Sequence, residues 1–150
     1  MSRTRASDAS ILPGLVGAAK AIGHPTRLRI LAMLKPGSLC VCQLTAVLGL
    51  AASTVSGHLA ELRGAGLVVE RKSGKWVNYS LAHEGAATAL LDTVLAELHA
   101  DPQRKADAET VRALRTVSRE VLCEVGLDLE AVGIARRDRR AAPAHARRRR

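Results

Sequence analysis

Two short apolar-striped segments meet at Gly49, and the second leads straight into an alternating hairpin; few folds accept that order. The stretch "LCVCQLTAVLG" is predicted as a helix capped by Ser38 and ended by Gly49. In "LAASTVSGHLAELRGAG", Val55, Leu59 and Leu62 share one helical face, and Gly64 and Gly66 close the segment. Next, "LVVERK" and "WVNYSL" flank Ser73-Gly74, with Val77, Tyr79 and Leu81 alternating in the second strand. A helix pair joined by a tight glycine turn, then a hairpin, outlines a winged helix-turn-helix, mainly α with a β-hairpin wing. In such units the second helix enters the major groove. Its outward residues here are Ser53, Thr54, Ser56 and Gly57, with His58 as a DNA or packing contact. Arg71, Lys72 and Lys75 at the hairpin tip suit phosphate contacts.

The rest of the chain reads as helices. Residues 11–23 are apolar with Pro13 in the first turn, and Pro25 opens a helix carrying Leu28, Ile30, Leu31 and Leu34, stopped by Lys35-Pro36-Gly37. Ala87, Leu90, Leu91, Val94, Leu95 and Leu98 form a second stripe, broken at Asp101-Pro102. A last helix over about 104–125 carries Val111, Leu114, Val121, Leu122 and Val125. Trp76 and Tyr79 are the only aromatic side chains besides histidine, so the core must be aliphatic; the two rings are expected to pack the wing on the domain. The expected organisation is a loose leader at 1–10, a DNA-binding and dimerisation domain at 11–125, and a basic, disordered tail at 126–150. The helix at 11–23 and the stripe from Ala87 to Leu98 exceed what one small winged domain covers, so a homodimer is expected.

Charge is concentrated at the end of the chain. The whole carries +9, but residues 136–150 hold eight arginines and one aspartate, leaving only +2 for the first 135 residues. Such a run attracts phosphates without reading bases. No apolar run approaches the roughly 18 residues of a membrane span, and "MSRTRASDAS" has no apolar signal region. Three cysteines do not suggest a secreted disulfide framework, so the cytoplasm is the expected compartment.

Cys40 and Cys42 lie two apart, and only Cys123 adds another thiol. Three roles are open to the pair: buried small hydrophobes, a redox couple, or ligands for a soft ion. Two thiols cannot close a tetrahedral zinc site, and no nearby His, Asp or Glu completes one, whereas a trigonal thiophilic ion needs two or three sulfurs. In a regular helix, residues two apart point about 200° away from each other. Cys40 and Cys42 are expected in the first turn of that helix, so an ion held by both must distort or unwind it. Cys123 falls off the inner stripe of its helix and is expected to be accessible, either as a bystander or as a third ligand. No histidine has metal-ligand or catalytic spacing.

The pieces "AKAIGHPTRLRILAMLKPG", "LCVCQL", "LGLAASTVSGHLAELRGAGLV" and "ERKSGKWVNYSL", between Ala18 and Leu81, resemble the ArsR/SmtB family of metal-responsive repressors in order and spacing. The resemblance implies a winged-helix homodimer that binds operator DNA and releases it when an inducer arrives. It places Cys40 and Cys42 at the family's arsenite- or antimonite-sensing position, which makes As(III) or Sb(III) the inducer, with no organic cofactor. Cys123 is a candidate third metal ligand. The sequence departs from the family where some members carry a further cysteine, here Thr45. It also lacks the Asp-x-His of the family's zinc-type site, since Val94 follows Asp92 at that spacing. Ala52 and Gly57 replace longer polar groups in the recognition helix, whereas Ser53 and Ser56 match.

No P-loop, dinucleotide fingerprint or nucleophile elbow is present, and thiol–disulfide enzymes present Cys-x-x-Cys in a βαβ setting that a single hairpin does not offer. An enzyme is not expected. The alternative is a thiol-based redox or sulfur-species sensor on the same scaffold.

Overall fold

Helices and one small antiparallel sheet make up residues 10–136, the part of the chain that the computed structural model describes. The leader up to residue 9 and the arginine run from residue 137 lie outside it.

Helix α1 (Leu12–Ile22) starts with a proline in its first turn, and Arg27 closes its other end by donating to the carbonyls of Ala21 and Lys20. Helix α2 (Pro25–Leu34) follows at once: His24 caps it, accepting the Thr26 N–H on Nδ1 at 3.2 Å. A two-residue strand β1 (Leu39–Cys40) precedes α3 (Val41–Leu48). Gly49 ends α3 at φ +64°, a left-handed conformation that glycine adopts without strain, and turns the chain into α4 (Ala52–Gly64). Strands β2 (Val68–Ser73) and β3 (Trp76–Leu81) form the wing. After them come α5 (Ala87–Glu97), a 3-10 turn, α6 (Pro102–Leu114), α7 (Arg119–Glu124) and a second 3-10 turn at Glu130–Val132.

The core is aliphatic, as the scarcity of aromatics requires. Ile30, Leu31 and Leu34 of α2, Leu44 of α3, Val55, Leu59 and Leu62 of α4, and Leu91 and Leu95 of α5 are all buried. Helix α1 packs on α5, α2 on α6, and α3 on α4, α6 and α7. One charged group is buried at these contacts. Asp107 of α6 accepts from Arg29 Nε and Nη2, each at 2.8 Å, and from Gln103 Nε2 at 3.0 Å, which pins α6 to α2.

Four expectations need correcting. Ser38 does not cap α3: Leu39 and Cys40 are extended and pair with Tyr79 and Asn78 of β3, so Cys40 itself is the N-cap. Its N–H bonds to Gln43 Oε1 at 3.0 Å. Ser73 pairs with Trp76, which makes Gly74-Lys75 the two-residue turn, with Gly74 at φ +58°. The helix expected over 104–125 is two helices, because the Thr116 hydroxyl bonds to the Ala113 carbonyl and Ser118 restarts the chain by capping the Val121 N–H. Finally, the packed chain continues past Val125: Leu129 is buried, and Leu127, Val132 and Ile134 pack against the core.

The sheet runs β1-β3-β2. Strand β1 therefore ties the start of α3 to the wing. On the far side, Arg63 at the end of α4 forms an ion pair with Glu70 of β2, and the buried Tyr79 donates its hydroxyl to Glu70 at 2.8 Å. Burial, then the Glu70 carboxylate, pushes the Tyr79 phenol above its ordinary value. Tyr79 thus packs the wing as expected.

Candidate functional site

Cys40 and Cys42 lie with their sulfurs in direct contact, joined as a disulfide, and with Cα atoms 5.4 Å apart. The reason is local. Cys40 has extended dihedrals (φ −81°, ψ 161°) and stands outside the helix, while Cys42 occupies its second position. The 200° separation of a regular helix does not apply, so both sulfurs reach one point while α3 keeps its first turn. The expected unwinding is not required.

The pair borders a cavity of about 410 Å³ lined also by Val41, Thr45, Ala52, Lys75, Trp76, Val77, Cys123 and Leu127. Four parts of the chain meet there: the start of α3, the start of α4, the wing, and α7 with the turn after it. Cys123 is exposed and free, as expected, and faces the same space as the pair. Its helix begins afresh at Ser118, so an angular phase counted along one long helix does not locate it. Among the described residues no three His, Cys, Asp or Glu side chains are gathered closely enough to hold a metal ion. The geometry supplies an adjacent pair of sulfurs with a third across a cavity.

Three other cavity residues carry chemistry beyond the roles expected of them from the sequence. Two cations lie against the Trp76 ring, with Lys75 Nζ 4.9 Å and Arg119 Cζ 5.0 Å from its centre. Lys75 adds a positive charge to the cavity wall. The buried Thr45 hydroxyl has no hydrogen-bond partner among the described residues. Its signal was available: Thr45 follows Cys42 by three, which puts both on one helical face.

The surface expected to meet DNA is laid out along α4 and the wing tip. Ser53, Thr54, Ser56 and Gly57 are exposed on α4, and Arg71, Lys72 and Lys75 are exposed on the wing. His58 differs: it is half-buried, with its ring 4.6 Å from that of His24. Burial, then the charges of His24 and Arg27, lower its pKa against the opposing pull of Glu61. Ala52, the first residue of α4, and Lys75 at the wing turn both line the thiol cavity, so it opens between the two elements of this surface.

A family profile described as bacterial regulatory protein, arsR family, matches residues 24–69. The HTH-type transcriptional regulator CmtR of Mycobacterium tuberculosis is 44% identical over 90 residues, covering 60% of this chain and 76% of that protein. The arsenical resistance operon repressor of Escherichia coli K12 is 45% identical over 64 residues, covering 42% of this chain and 55% of that protein. Among solved structures, the homodimeric winged helix-turn-helix DNA-binding domain Mb0332 from Mycobacterium bovis superposes with a TM-score of 0.53 at 30% identity. That match covers 66% of this chain and 93% of the solved one.

Proposed function

Since the chain belongs to the arsR family of bacterial regulatory proteins, and is a DNA-binding transcriptional repressor rather than an enzyme, we propose that it releases its operator when trivalent arsenic or antimony bonds to Cys40 and Cys42. The observation that carries this reading is the contact between the two sulfurs inside a cavity bounded by the recognition helix and the wing. The similarity to an arsenical resistance operon repressor supports the choice of ion.

Loading needs the reduced pair. Arsenous acid has three hydroxyl groups on arsenic; each thiol that bonds to it gives its proton to a departing hydroxyl, and one water leaves per As–S bond. The positive end of the α3 dipole and the Lys75 ammonium favour the thiolate forms that attack. The third position is filled by Cys123 or a small cellular thiol. A ligand shifts an equilibrium only by preferring one state. Here the preference is set by the spacing of α4 and wing around the filled cavity, and DNA needs the other spacing.

The working unit is a homodimer in the cytoplasm. Ile11, Leu12 and Val16 leave an apolar strip exposed at the start of α1, and the Mycobacterium bovis neighbour is homodimeric. Two recognition helices then read a two-fold site about one helical turn apart, with Ser53, Thr54, Ser56 and Gly57 toward the groove and Arg71, Lys72 and Lys75 on phosphates. No helix among the described residues is long and apolar enough to cross a membrane.

The test is operator release by arsenite in wild type, Cys40→Ser, Cys42→Ser and Cys123→Ser. The first two variants should hold DNA and fail to release it. A Cys40→Ser protein that responds like wild type refutes the reading. The disulfide itself favours a second one, in which oxidation of the pair is the signal. Release by peroxide and not by arsenite replaces the first reading with the second.

A further inference from the structure

We propose that Arg119 is the positioning residue that carries a change at the thiol cavity to the wing. The proposal rests on the reading of that cavity as the inducer site. Arg119 opens α7. Its Nη1 donates to Asn78 Oδ1 at 3.0 Å, and its guanidinium lies against Trp76. Trp76 and Asn78 are two apart on β3 and so share one face of the strand. Asn78 is in addition the register partner of Cys40. Arg119 therefore grips the wing beside the sensor strand.

The other end of the same helix reaches the cavity. Cys123 follows Arg119 by four residues, which puts both on one face of α7, and it lines the space that holds Cys40 and Cys42. Leu122, between the two ends, is buried on the inner side of this short helix. No group of three ligands is assembled among the described residues. An ion that bonds all three sulfurs must draw Cys123 toward α3. Helix α7 is a rod of only about 9 Å, so its first residue moves with its fifth. Arg119, held by a hydrogen bond and a ring contact, displaces Trp76 and Asn78 with it. The wing turns away from the recognition helix without any change in α4 itself.

The experiment uses the full-length reduced dimer, sodium arsenite, and an operator duplex isolated by selection from random sequence. Wild type should lose operator affinity by about 100-fold on arsenite addition, near the upper end of common coupling strengths. Arg119→Gln should bind arsenite with unchanged stoichiometry by thiol counting and hold the operator within about threefold of wild type without arsenite, yet lose less than about tenfold on adding it. Asn78→Ala, which removes the same hydrogen bond from the wing side, should behave alike, and Arg119→Lys should recover part of the response. A wild-type ratio in both Arg119→Gln and Asn78→Ala overturns the proposal; if Arg119→Gln does not fold, Asn78→Ala decides alone. A Cys123→Ser protein with full arsenite response also overturns it, while leaving the inducer reading intact. A wild type indifferent to arsenite removes both.

Discussion

Replacing Thr45 by valine should stabilise the reduced protein. The Thr45 hydroxyl is buried within α3 and bonds to nothing among the described residues. Valine has the same branched shape, so no cavity opens, and the two residues have nearly equal helix propensity. What changes is one hydroxyl that gave up water for no partner, a cost of about 1–3 kcal/mol in proteins. Taking the low end, because a relaxing neighbour recovers part of it, Thr45→Val should gain about 1 kcal/mol. With a urea slope of about 2 kcal/mol/M, the unfolding midpoint rises by about 0.5 M. The assay is urea unfolding followed by circular dichroism at one fixed protomer concentration, since a dimer's stability depends on it. A midpoint that falls instead shows that the hydroxyl has a partner, and the reasoning fails.

Three further outcomes are expected. Asp107→Ala should cost about 3 kcal/mol, because it strips a buried carboxylate from the Arg29 and Gln103 bonds that hold α6 on α2; a midpoint shift worth under 1 kcal/mol contradicts that. His58 has a folded pKa below the ordinary histidine value of about 6.5. The unfolded chain thus binds the proton more readily, and stability present above that pH declines as pH falls through it. His58→Gln should flatten the loss of unfolding midpoint between pH 7.5 and 5.5, and an unchanged slope rules the residue out. Removing residues 137–150, which hold seven arginines, should flatten the salt dependence of DNA binding and leave the preferred operator unaltered; an equal salt slope means that the run does not touch DNA.

Periodicity revealed the elements whose determinants are local. The Val55, Leu59 and Leu62 stripe marks α4, and alternation through Val77, Tyr79 and Leu81 marks β3, because each pattern is written within one element. Strand β1 could not be read that way. Two residues have no period, and what makes them a strand is pairing with Tyr79 and Asn78, nearly forty positions on. The break before α7 was hidden because Leu114 and Leu122 are both buried and eight apart, a spacing that also fits one continuous helix. Only the side-chain bonds of Thr116 and Ser118 separate the two cases. Each of these misses moved a cysteine. Cys40 left the helix for its cap, and Cys123 rotated toward the cavity.

The extended backbone at Cys40 has a consequence for time. A sensor whose ligands must first be freed from a helix loads no faster than the helix opens, and its observed rate levels off at high ligand. Here α3 is regular from Val41 onward and the sulfurs are already adjacent. The first As–S bond to the reduced pair should therefore form in a bimolecular step, linear in arsenite over the accessible range, with closure onto the second sulfur following within the complex. From the disulfide form the clock is different: nothing is captured until a reductant opens the bond, and the delay follows reductant and ignores arsenite. Trp76, the chain's only tryptophan and a wall of this cavity, is placed to report both regimes by its fluorescence in a stopped-flow trace.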